Sequence, residues 1–244
     1  MPVPPDYRLV FEDTFDRGVL DLEKWSYRHV GVERNAFNAP EAVSVENGRL
    51  VIRQSYRDGR FGRGWYCGEI KANRKFLRGF FEIRCICSEA VHRCERSFWS
   101  AFWIQADHPY EPDCSRGGPG GAEIDIMECF RTPDGLVPEV ETTIHCAGMR
   151  HSAAAPGELD SLHLYKKQIP DACRAFHTYA LDWTETEYRF FYDDELVAVT
   201  SWGDGVSQVP EDLVLSLCPP LEPCPDPTDY ETCFIVDSVR VWQK

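Results

Sequence analysis

Basic residues are scarce: 26 Lys and Arg stand against 40 Asp and Glu, for a formal net charge of −14. No Lys/Arg-rich run interrupts that balance, and a nucleic-acid-binding face needs one. A neutral ligand is therefore expected, and nucleic acid is not. Long apolar runs are missing too. None approaches the roughly 18–20 residues of a membrane span, so no membrane partner is expected. The N-terminus, Met1-Pro2-Val3-Pro4-Pro5-Asp6, lacks the basic and apolar regions of a secretory leader. Zinc spacings are absent: Cys85-x-Cys87 and Cys218-x5-Cys224-x8-Cys233 match no strong pattern. The 11 Cys are odd in number, so at least one is free or pairs with another chain. Cys85, Cys87, Cys129 and Cys146 interrupt apolar, strand-like runs, where a reduced thiol behaves as a small hydrophobe. Reduced thiols, a cytoplasmic location and a monomer are the resulting expectations; a chain trimmed of a leader would read the same way and be secreted.

Helical periodicity is the last absence. Short alternating or apolar segments recur instead, among them Arg49–Arg53, Phe80–Arg84, Tyr188–Tyr192, Leu213–Leu217 and Phe234–Trp242. Turn residues separate them at Glu46-Asn47-Gly48, Asp58-Gly59 and Tyr192-Asp193-Asp194-Glu195. Many short strands at this spacing predict an all-β sandwich of the jelly-roll kind. Residues 108–121 and 219–229 are loops by their Gly and Pro content, yet neither divides the chain into self-sufficient halves. One domain over residues 1–244 is expected, a normal size for a β-sandwich. Aromatics make up 13% of the chain, enough to fill a core or to line a cleft.

The segment Gly121-Ala122-Glu123-Ile124-Asp125-Ile126-Met127-Glu128 carries the chemistry. Its alternation of isoleucine with acid is that of a half-buried strand. Crowded acids on one strand face repel each other and add nothing to structure. Glycoside hydrolysis needs such crowding: one carboxylate attacks the anomeric carbon while a second, kept protonated, donates to the leaving oxygen. Strict alternation puts Glu123 and Asp125 on one face and Glu128 on the other. A β-bulge around Ile126-Met127 would return Glu128 to its partners, and bulges are favoured beside active sites. Asp125, lying between, is expected to share a proton with Glu123 and to help separate the pKa values of the pair.

The chain resembles glycoside hydrolase family 16 over nearly all its length. Leu9-Val10-Phe11-Glu12-Asp13-Thr14-Phe15-Asp16, Val45–Ile52, Phe76–Arg84 and Phe98–Ile104 precede the triplet in the family's order. Thr143-Ile144-His145, Phe176–Trp183 and Val236–Val241 follow it. The resemblance implies a jelly roll of two antiparallel sheets, a sugar cleft on the concave face, and retention of anomeric configuration. It further implies Glu123 as nucleophile, Asp125 as its helper, Glu128 as acid/base and His145 as a support for the carboxylates. The bulged E-x-D-x-x-E form is that of laminarinases, agarases and galactosidase-like members. Trp99 and Trp103, on one face with Ala101, are candidate sugar platforms, with Phe98 and Phe102 turned to the core. Asn35, Trp65, Tyr66 and Trp202 are further subsite candidates. Gly48 and Asp237 resemble part of a structural calcium site, although Thr14 stands where relatives often place an acid. No cofactor is expected for catalysis.

The sugar stays open at this point. An endo-acting hydrolase of β-1,3-glucan is the first expectation, because the triplet resembles that of laminarinases. A β-galactan such as agar, porphyran or a galactose-rich glycan is the alternative, favoured by Glu69 in Cys67-Gly68-Glu69-Ile70, where many laminarinases carry arginine. A sulfated galactan would need a cationic pocket, for which Arg74, Arg93 and Arg96 are candidates. From other classes, a lectin-like module has no use for three crowded acids. A calcium cage suits a line of strand carboxylates poorly.

Overall fold

The computed structural model describes residues 3–89, 99–107, 118–131, 137–146, 160–201, 205–218 and 232–244. Two of the expected turns close hairpins. Asn47 and Gly48 adopt φ of 51° and 69° and join β5 (Val43–Glu46) to β6 (Arg49–Gly59). Asp193 and Asp194, at 45° and 70°, join β15 (Tyr188–Tyr192) to β16 (Glu195–Thr200). Two consecutive left-handed residues match the strand twist, and Asn, Asp and Gly tolerate that conformation best. The expected turn at Asp58-Gly59 lies elsewhere. Strand β6 continues through Gly59, and the chain reverses at Arg60-Phe61 into β7 (Gly62–Cys67). Gly59 is needed for close approach: a Cβ there would fall 2.5 Å from the Tyr66 ring.

Strands β13 (Asp160–Gln168), β12 (Pro138–Cys146), β11 (Glu123–Arg131), β10 (Trp99–Gln105), β17 (Glu211–Cys218), β8 (Glu69–Phe76) and β2 (Trp25–Tyr27) form, in that order, a seven-stranded antiparallel sheet. An eleven-stranded sheet runs β16, β15, β14 (His177–Trp183), β9 (Gly79–Ile86), β18 (Thr232–Gln243), β6, β7, β4 (Ala36–Asn38) and β3 (Gly31–Glu33), with β1 (Arg8–Asp13) on β18 and β5 on β6. Among its pairings only β4 with β7 is parallel. The result is the expected jelly-roll sandwich. Aromatic side chains fill much of the space between the sheets: Trp25, Phe76, Phe81, Phe102, Tyr179, Trp183, Tyr188 and Phe190 are almost completely buried. The composition's aromatic surplus is thus largely core. Eight cysteines are free among the described residues, with Cys85, Cys87, Cys129 and Cys146 buried as expected.

The long loops expected from composition fall mostly outside the described residues, as do Trp202, Arg93 and Arg96.

Candidate active site

Strand β11 carries the triplet in the middle of the seven-stranded sheet, and both of its neighbours lose register at the same place. Against β10, Phe102 faces Met127 and Trp103 faces Asp125, so Ile126 is the extra residue. Against β12, pairing passes from Asp125–Thr143 directly to Glu128–Glu141. Ile126 and Met127 are both fully buried. The bulge therefore absorbs one residue at the position the alternation required, and Glu128 emerges on the face of Glu123 and Asp125.

The carboxylates are held from the two flanking strands, Glu123 and Glu128 from β10 and Asp125 from β12. Glu123 faces Gln105 in the β10 register, and Gln105 Nε2 donates to Glu123 Oε2 at 2.5 Å. Asp125 is only 3% exposed, with His145 Nε2 3.1 Å from its Oδ2. Ser161 on β13 anchors the far side of that imidazole, 2.6 Å from Nδ1. Glu128 accepts from Trp99 Nε1 at 2.8 Å.

Burial dominates the electrostatics of two of these groups. Burial, then the charges of Glu123 and Glu141, pushes Asp125 well above the usual carboxylate range. Burial, then Asp125 and to a smaller extent Glu123, raises Glu128 as well, against the opposing pull of His145 and the Trp99 hydrogen bond. Both shifts favour the protonated form relative to an ordinary carboxyl group. A protonated Glu128 suits proton donation to a leaving oxygen, and a protonated Asp125 beside Glu123 suits a shared proton.

Of the expected binding residues, Trp99 and Trp103 lie on this face. Trp103 Nε1 donates to Ser216 Oγ at 3.0 Å, and the Arg28 guanidinium sits 4.8 Å from its ring centroid. Asn35 lies in the β3–β4 turn beside Arg34, whose guanidinium lies 5.4 Å from the Trp99 ring. That places Asn35 at the rim. Others need correction. Tyr66 is fully buried, its hydroxyl donating to the Gly62 carbonyl at 2.7 Å and accepting from Phe61 N at 3.0 Å. Trp65 packs in the core against Tyr56. Neither presents a face to a ligand: Trp65 points into the core, and Tyr66, on the opposite face of β7, is covered by Phe37 and Phe61. Arg74 is engaged by the N-terminal strand instead: it donates to the Val10 carbonyl at 3.1 Å and covers Phe76.

Of the residues expected for calcium, Asp237 is already engaged by arginine. Asp237 is bound by Arg84 Nη1 at 2.8 Å and Arg49 Nε at 3.3 Å, so two guanidiniums already neutralise its carboxylate. Thr14, where an acid would strengthen the site, donates to Asp16 at 2.5 Å. Gly48 instead serves the β5–β6 turn.

Sequence reasoning missed several residues. Gln105 shares the face of Trp99 and Trp103, and Glu141 that of His145, so alternation alone could have found both. Glu141 stands opposite Glu128 and bonds His163. Arg28, just past the end of the three-residue strand β2, gave no signal. Glu69 is 7% exposed and paired with Arg28, with Asn38 Nδ2 donating to it at 3.1 Å.

Crowded acids, two of them raised in proton affinity by burial, gathered by a bulge in a jelly-roll sheet beside indole rings, define a site of the glycoside-hydrolase class. The chain belongs to the glycosyl hydrolases family 16, whose model matches residues 31–218. It is 30% identical over 202 residues to a beta-glucanase of Rhodothermus marinus, covering 79% of this chain and 65% of that protein. It therefore spans about two thirds of that relative's length. A glucan endo-1,3-beta-glucosidase of Cryptopygus antarcticus is 28% identical over 200 residues, covering 77% and 67% of the two chains. The fold superposes with a TM-score of 0.77 on a non-specific endo-beta-1,3(4)-glucanase of the same family, crystallised with an oligosaccharide. That pair is 25% identical, with 100% of this chain and 97% of the other covered.

Proposed function

We propose that this protein is a retaining endo-β-glycosidase that hydrolyses a β-1,3-linked glucan. The observation that carries the reading is the bulge at Ile126, which returns Glu128 to the face of Glu123 and Asp125. Glu123 attacks the anomeric carbon through one carboxylate oxygen while Glu128 gives its proton to the departing glycosidic oxygen. The covalent ester is then opened by water, whose proton passes to Glu128. Asp125 steadies Glu123 through the shared proton, and His145 keeps Asp125 in place. Trp99 orients Glu128, and Trp103 borders the path of the glycan chain. The relatives' glucanase names support the choice of glucan. The β-galactan alternative was favoured by Glu69 standing where many laminarinases carry arginine; Glu69 itself is engaged by Arg28 and Asn38.

The test is a product screen of wild type and Glu123→Ala against laminarin, mixed-linkage glucan, agarose, porphyran and β-galactan. Oligosaccharides released from laminarin by wild type alone are the expected result. Release only from a galactan would overturn the sugar, and binding without release would point to a lectin-like module.

A further inference from the structure

We propose that Gln105 is a positioning residue that presents the Glu123 carboxylate for attack, and that Arg28 fixes Gln105 in the one amide orientation able to do so. The inference deepens the hydrolase reading and rests on it for the role of Glu123. Gln105 ends β10, directly opposite Glu123, and is 7% exposed. Its two amide atoms have opposite tasks: Nε2 donates to Glu123 Oε2, and Oε1 accepts from Arg28 Nη2. A guanidinium only donates and a carboxylate only accepts. A flipped amide would set N–H against N–H on one side and oxygen against oxygen on the other. The chemistry of the two partners thus decides the orientation.

Arg28 is itself held on several sides. Nη1 bonds Glu69 Oε1, while Asn38 donates to Glu69 Oε2 and His29 Nδ1 lies 3.4 Å from it. The guanidinium plane also lies against Trp103. Because Glu69 balances its charge, no full cation rests on the nucleophile. A guanidinium touching Glu123 directly would bind up the electron pair needed for attack. The intervening amide passes on polarisation instead, as hydrogen bonds in series strengthen one another. During glycosylation, the new bond forms from one Glu123 oxygen to the anomeric carbon. The bond from that carbon to the glycosidic oxygen breaks, and the Glu128 proton goes to the leaving oxygen. The amide proton stays on Gln105, which keeps hold of the other Glu123 oxygen.

Two readouts separate positioning from packing. A carboxyl 13C NMR titration, with the Glu123 resonance identified by its loss in Glu123→Gln, follows the nucleophile without any substrate. In Gln105→Met its midpoint is expected to rise by at least half a pH unit, and in Arg28→Met by less but with the same sign. On laminarin, Gln105→Met should lower kcat about tenfold to a hundredfold, the scale of one hydrogen bond to a charged group. KM should change little, and the acidic limb of the pH profile should move upward. Unchanged midpoints in both variants would overturn the proposal, whatever their activity. Should Gln105→Met fail to fold, the Arg28→Met titration decides alone. A wild type inert on every glycan would sink the hydrolase reading, while the titration still reports on Gln105.

Discussion

At the scale of single residues, the site depends on carboxyl groups that share one surface, two of them raised in proton affinity by burial. Glu123→Ala and Glu128→Ala are each expected to lower turnover by several orders of magnitude with the fold intact. Azide should rescue Glu128→Ala on an activated aryl β-glycoside and give a β-glycosyl azide; an α-azide would mean that the two roles are exchanged. A second acid matters without touching substrate. Glu211 is wholly buried, accepts from Ala122 N at 3.0 Å just before Glu123, and is pushed up to about 8 by burial. Its folded form keeps a proton that the unfolded chain loses near the ordinary carboxylate value of 4.5. Stability therefore falls as pH rises from that value to about 8 and levels off beyond. Glu211→Gln retains an acceptor for Ala122 and removes the titration. Its advantage over wild type in chemical denaturation should grow from near zero around pH 4 to on the order of 2 kcal/mol or more at pH 8. A constant difference across that range would refute the account. The sequence disclosed the triplet because its acids interrupt an apolar alternation. It concealed Glu211, since a charged residue opening an apolar strand resembles any solvent-facing one.

At the scale of elements, the bulge is the decisive feature. It was legible because alternation failed by one residue, a defect that only an extra residue can mend. Inserting one alanine after Ile126 is expected to drive Glu128 into the apolar interior, abolish activity and lower the unfolding midpoint. Deleting Ile126 should instead restore plain alternation, leave all three acids on one face, and give a folded protein with reduced but measurable turnover. If the insertion variant worked as well as the deletion variant, facing would not be what the bulge provides. Strands β6, β9, β11, β15, β17 and β18 were readable from their alternating or apolar runs, and two hairpins from Asn-Gly and Asp-Asp. The reversal after Gly59 was not, because the glycine serves a ring packed against it rather than a turn. Trp65 and Tyr66 misled for a related reason: indole and phenol rings look alike to sequence whether they meet a sugar or a core.

At the scale of the whole molecule, the sandwich was legible in outline and its strand order was not. Which runs pair depends on crossovers between distant segments, such as β17 with β8 and β10. The same non-local pairing hid Arg28, whose partners lie 41 and 77 residues away. It also set two arginines on Asp237. EDTA should consequently leave the thermal midpoint unchanged, and added calcium should not raise it. A calcium-dependent rise would show that the cation displaces the guanidiniums.

The strand order has one more consequence. To one side of β11 and β10 the cleft sheet is completed by β12 and β13, a single stretch between residues 138 and 168. To the other side it is completed by β17, β8 and β2, drawn from both ends of the chain. The two arms of the sheet that carries the acids are therefore encoded by separate parts of the chain. A continuous cassette can be exchanged by one recombination event, altering what is accepted at one end while the opposite arm and the central acids stay as they were.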